Sequence, residues 1–135
     1  MITMVRVADL ETGNFWKHIG MSTIVGADGI TRIQLTVNPD LLQFYGNVHG
    51  GVIASMIDSA IAVAVNQQLD PGEGASTVEL KVNYLSSISE GTIWGEGKVI
   101  KKGRNIVVAQ GEIKNDAGKI LAIGTATFMV RQIAP

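Results

Sequence analysis

The chain has 135 residues, 46% of them hydrophobic and 17% charged, which suits one packed domain and excludes a disordered chain. Eleven basic against twelve acidic residues leave a net charge of −1, so the basic footprint of a general nucleic-acid binder is missing. With no cysteine, disulfides, thiol catalysis and thiolate-held metals are excluded, and two histidines, His18 and His49, give no pattern that calls for a metal.

In chain order, Met1 to Gly13 reads as a loose or short helical lead-in without the apolar stretch of a secretory signal. No apolar run approaches the ~18 residues of a membrane span. The expectation is a cytoplasmic protein with neither a membrane nor a nucleic-acid partner. Residues 15–18 are expected to tuck Phe15 and Trp16 against the domain. Residues 20–37 read as a hairpin whose turn is Gly26-Ala27-Asp28-Gly29, with Ile33, Leu35 and Val37 alternating against Arg32, Gln34 and Thr36. Asn38-Pro39-Asp40 ends it.

Residues 50–69 predict one long helix. From Val52 to Val65 every residue is apolar except Ser55, Asp58 and Ser59. A helix apolar nearly all round must be wrapped by other structure, and the three polar residues share one stripe. Pro71-Gly72-Glu73-Gly74 closes the helical region. Val78, Leu80, Val82 and Tyr84 then alternate with Thr77, Glu79, Lys81 and Asn83 as a strand. Further strands are expected at about 91–101, 104–114 and 120–131, with turns at Lys102-Gly103-Arg104 and Asp116-Ala117-Gly118-Lys119. The order β-β-α-β-β-β-β describes a single α+β domain over 1–135, an antiparallel sheet folded around one helix.

Two features carry chemistry. Asn47-Val48-His49-Gly50-Gly51 leads into the helix, where first-turn N–H groups lack intrahelical partners and glycines let a ligand approach the backbone. Such an end suits polarisation of a carbonyl, or it is simply a tight turn into a buried helix. Asp58 is a carboxylate in an apolar helix, costly unless paired. It reads as a base or nucleophile, or as a structural aspartate satisfied by Ser55, Ser59 or a backbone donor. Gly50 and Asp58 are eight residues apart, about 12 Å along a helix axis. One carbonyl cannot touch both, so cooperation requires two chains and a site at a two-fold interface.

The run from Asn47 to Ala60 resembles the signature of hotdog-fold acyl-CoA thioesterases of the phenylacetate-degradation type, and the resemblance continues through Ser76–Leu85 and Lys102-Gly103-Arg104. It implies a hotdog fold, dimers with interfacial sites and often tetramers. It implies that the Gly50 N–H polarises the thioester carbonyl and Asp58 is the base or nucleophile. Gln43, six residues before His49, would position water or the carbonyl, and Thr77, or Ser76, would hold the attacking water. His49 reads either as a general base or as the residue orienting the turn. Asn47, Gly51 and Ser76 are expected on the substrate. Lys102, Gly103 and Arg104 form either a solvated hairpin turn or a site for coenzyme A phosphates. Met56, Ile57 and Tyr84 are expected to line the acyl pocket. The expected substrate is an acyl-CoA, aromatic or of medium chain length, with coenzyme A part of the substrate and no separate cofactor. A hotdog enoyl-CoA hydratase or dehydratase using His49, and a non-catalytic acyl-CoA-binding module, are the alternatives.

Overall fold

A helix with apolar residues on every side forces the rest of the chain to enclose it. In the computed structural model, which describes residues 7–133, helix α3 (Gly50–Asn66) does lie against five strands of one sheet. Two short helices, α1 (Val7–Leu10) and α2 (Asn14–Ile19), precede it with strands β1 (Ser22–Val25) and β2 (Thr31–Thr36) and a 3-10 turn at Pro39–Leu41. Strands β3 (Glu73–Tyr84), β4 (Thr92–Lys102), β5 (Ile106–Asn115) and β6 (Ile120–Gln132) follow. All pairings are antiparallel, in the order β1-β2-β4-β5-β6-β3. The expected succession of elements is therefore present; of the expected lead-in, Met1–Arg6 lie outside the described residues.

Met56, Ile57 and Ile61 of α3 are fully buried against Ile33, Ile93, Ile113 and Phe128 of the sheet. Each such side chain contributes roughly 1.5–3 kcal/mol by leaving water. Close approach of helix to sheet depends on glycine. Gly97 pairs with Gly111 and Gly111 with Gly124, a row across β4, β5 and β6 directly beneath α3. A Cβ on Gly97 would stand 2.3 Å from the Ala60 carbonyl oxygen, and one on Gly124 would stand 2.9 Å from Ile57 Cγ2. Because the Gly97 obstacle is backbone, the helix itself would have to move. Gly97→Ala is expected to destabilise the fold by about 3 kcal/mol, lowering Tm by roughly 10 °C in a thermal melt. A Tm unchanged within 2 °C would mean the helix is not seated on that row.

Several boundaries differ from expectation. The helix ends at Asn66, not residue 69. The Asn66 Nδ2 donates to the Ala62 carbonyl at 2.7 Å, and the chain turns at Gln67 so that Leu69 is buried. Strand β3 begins at Glu73 instead of Thr77 because β6 is long enough to pair with it, Glu73 opposite Gln132. Of the two aromatics expected to tuck in, Trp16 packs on the core while Phe15 stays 54% exposed. Consecutive helical residues point in different directions, and buried Ile19 shares the face of Trp16.

Strand β3 carries the feature that matters most for function. Register shifts between Thr77 and Glu79, leaving Val78 bulged and 54% exposed. Simple alternation would put Thr77 on the outer face with Glu79 and Lys81. The bulge returns it to the side facing α3. β3 is also an edge strand, twelve residues long and, among the described residues, unpaired along its outer side.

Candidate active site

At the start of α3, His49 occupies the cap position in an extended conformation (φ −58°, ψ 136°). Its backbone N–H donates to the Leu41 carbonyl at 2.8 Å, tying the entry to the preceding loop. Its Nδ1 accepts from the Gly51 N–H at 2.8 Å, and its carbonyl accepts from the Val52 N–H at 2.9 Å. Nδ1 is therefore an acceptor in this arrangement, which fits the turn-orienting reading of His49. The Gly51 N–H, expected on the substrate, is occupied by that bond. The Gly50 N–H has no acceptor among the described residues and is the unsatisfied donor of the first turn.

Gly50 opens onto a cleft of about 340 Å³ lined by Gln43, Asn47, Val48, Ile53, Tyr84 and Leu85. Gln43 reaches it from a tight loop in which its N–H donates to the Asn47 carbonyl at 2.7 Å and its carbonyl accepts from the Gly46 N–H at 2.9 Å. Gly46 takes φ +86°, which closes that turn. The Gln43 Oε1 accepts from the Tyr45 N–H, leaving its amide N–H groups as the donors available to a ligand. Gln43, Asn47 and Gly50 are thus together, as expected. Met56 and Ile57 are not in the cleft: both are fully buried because their face of α3 meets the sheet. Ile53, one turn closer to Gly50, takes that place. The sequence signal for it was its i+3 spacing from Gly50.

Asp58 stands apart from this cleft. It is half-buried, and its Oδ1 accepts from the Thr77 hydroxyl at 2.7 Å, brought there by the β3 bulge. Ser76, the neighbouring strand residue, points to the opposite face. Neither serine of the expected polar stripe bonds Asp58. Ser55 donates to the Gly51 carbonyl at 2.7 Å, and Ser59 is buried. Neither Asp58 nor Thr77 lines the Gly50 cleft. Asp58 with Thr77 and Gly50 with Tyr84 are thus two separate groups in a single chain, one against the middle of β3 and the other at its C-terminal end.

The basic turn lies at the Asp58 end. Thr77 pairs with Phe128, Phe128 with Val107 and Val107 with Lys102, so the turn begins three strands from Thr77, roughly 14 Å away. The Lys102 Nζ lies 3.6 Å from Glu73, and Gly103 closes the turn by donating to the Ile106 carbonyl at 2.7 Å. Arg104 is exposed.

The role of Tyr84 was missed in the sequence beyond its place as a lining residue. Its hydroxyl donates to the Gly50 carbonyl at 2.8 Å. The available signal was a tyrosine closing a strand that returns antiparallel to the helix.

Residues 45–122 match the family model described as the thioesterase superfamily. A protein of Mycobacterium tuberculosis (strain ATCC 25618 / H37Rv) named an esterase is 38% identical over 90% of this chain and 89% of its own length. A 1,4-dihydroxy-2-naphthoyl-CoA hydrolase of Listeria monocytogenes serotype 1/2a is 25% identical over 86% of this chain and 94% of its own. A Bacillus halodurans protein, whose crystal structure contains CoA, superposes with a TM-score of 0.86 at 25% identity, covering 91% of this chain and 82% of that one. An antiparallel sheet around one helix, with a glycine-rich helix entry inside the matched span, agrees with these relationships. The chain belongs to the thioesterase superfamily and is a thioester hydrolase of the hotdog fold.

Proposed function

We propose that the protein hydrolyses acyl-CoA thioesters, aromatic or of medium chain length, at sites shared by two copies of the chain. The observation that carries this reading is the separation of the two half-sites: an unoccupied N–H donor at Gly50 beside Tyr84, and a carboxylate at Asp58 beside Thr77. Both lie along one exposed edge strand. Two β3 edges related by a two-fold axis would pair antiparallel. Centred between Leu80 and Lys81, that pairing sets Thr77 of one copy opposite Tyr84 of the other. The Asp58 half then joins the partner's Gly50 half, and symmetry produces two complete sites.

In each site the Gly50 N–H and helix N-terminus stabilise the oxygen of the tetrahedral intermediate. The Gln43 amide and Asn47 orient the acyl carbonyl in the cleft. Asp58, aligned by Thr77, either takes a proton from water so that the water oxygen attacks the carbonyl carbon, or attacks that carbon with its own oxygen to form an anhydride that water then opens. The carbon–sulfur bond breaks, water supplies the acid's new oxygen, and coenzyme A leaves as the thiol. Arg104 and Lys102 lie toward the Asp58 end, where the phosphates of coenzyme A would extend. The His49 Nδ1 is engaged by Gly51, which speaks against the hydratase reading. Pairing of dimers into tetramers is supported by Ile106, Val108, Ile123 and Met129, exposed on the sheet face away from α3.

A free-thiol assay over short, long and aromatic acyl-CoAs, with an acyl carrier protein thioester beside them, tests the function. Thiol release equal to acid formed is expected with coenzyme A substrates. Binding without release over the whole panel would favour a binding module, and hydration of an enoyl-CoA without release a hydratase.

A further inference from the structure

We infer that Tyr84 is a positioning residue for catalysis, holding the Gly50–Gly51 peptide so that the Gly50 N–H keeps one direction; the inference rests on the hydrolase reading above. Two adjacent glycines make the most pliant backbone available, yet an oxyanion donor is effective only when fixed before the charge develops. The structure surrounds that peptide with restraints. Its carbonyl oxygen, on Gly50, accepts from the Tyr84 hydroxyl at 2.8 Å. Its N–H, on Gly51, donates to His49 Nδ1 at 2.8 Å. The next carbonyl, on Gly51, accepts from the Ser55 hydroxyl at 2.7 Å. The preceding peptide is held by its carbonyl, on His49, through the Val52 N–H at 2.9 Å. With the planes before and after Gly50 both fixed, its N–H has little freedom to swing.

In the single chain Tyr84 lies outside the hydrophobic core, 56% exposed at the end of an edge strand. The phenol also lies close over residue 50. A Cβ would meet Tyr84 Oη at 3.3 Å and Cζ at 3.4 Å, the tightest contacts around that position. Glycine at 50 and tyrosine at 84 therefore act together: the ring packs closely beside the glycine, and its hydroxyl removes the slack that glycine introduces.

Tyr84→Phe deletes the hydroxyl and keeps the ring. Against an acyl-CoA that the wild type hydrolyses, kcat is expected to fall about tenfold with KM within about twofold, because only the transition state places charge on the donor. The inhibition constant of a non-hydrolysable acyl-CoA thioether should likewise stay within about twofold. In protein labelled with 15N-glycine, the Gly51 amide resonance should shift, since its nitrogen belongs to the peptide that loses the bond; simple loss of packing would not single out that signal. An unchanged kcat, or an unmoved Gly51 resonance, would overturn the clamp. A parallel loss of thioether binding would overturn it too, by making the phenol a substrate contact. A wild type that releases no thiol at all would instead overturn the hydrolase reading and the catalytic role together.

Discussion

Asp58→Asn is expected to lower turnover by roughly 10²–10⁴-fold, the range typical of losing a positioned acid–base group. The substitution is nearly isosteric, and an asparagine oxygen can still accept from the Thr77 hydroxyl that now lies 2.7 Å from the carboxylate. Packing, helix and oligomer should therefore be retained, and the loss should fall on kcat, with KM changing little. Removing a half-buried charge from an apolar helix should leave stability unchanged or slightly raised. Steady-state kinetics beside a thermal melt and size-exclusion chromatography measure all three. Equal turnover in the two proteins would remove Asp58 from the mechanism.

Gly50→Pro should be nearly as severe, because proline deletes the one N–H assigned to the oxyanion. Loss of such a donor costs roughly 10²–10³ in kcat. The site is unusually tolerant of the change. Residue 50 is the first of the helix, where proline is favoured, and His49 at ψ 136° already has the extended conformation that a residue before proline adopts. The contact with Tyr84 at 3.3 Å requires a shift of only a few tenths of an ångström. The fold should survive while activity does not. Mixing this variant with Asp58→Asn then tests the shared site. Random reassortment makes half the dimers mixed, and each mixed dimer holds one site with both groups intact, so about a quarter of wild-type activity should return. No recovery after demonstrated subunit exchange would mean that both groups act within one chain.

Much of this protein is legible in its sequence because the relevant signals are local. The apolar run from Val52 to Val65 announces a wrapped helix, and Asp28-Gly29 announces the first hairpin. The unsatisfied donors at His49-Gly50-Gly51 follow from the helix start itself. Errors arose where an end is decided by a distant partner. Helix α3 stops at Asn66 because Leu69 must turn inward, and β3 starts at Glu73 because β6 extends to meet it. The resemblance led Met56 and Ile57 to be expected in the acyl pocket, but an apolar side chain on a central helix belongs to whichever surface covers it, here the sheet.

Residue spacing alone determined that Gly50 and Asp58 of one chain lie too far apart to grip the same carbonyl, because helical rise is fixed by backbone geometry. Only the tertiary structure decided which groups attend each of them. Alternation along β3 would turn Thr77 outward, and the bulge at Val78 returns it to Asp58; the same strand ends with Tyr84 on Gly50. A bulge is a property of two paired strands, and β3 and β6 are joined only by a long excursion through the rest of the sheet. The glycine row at 97, 111 and 124 has the same origin. Periodicity within a segment reports which face it hides, whereas register between segments exists only once the chain has closed on itself.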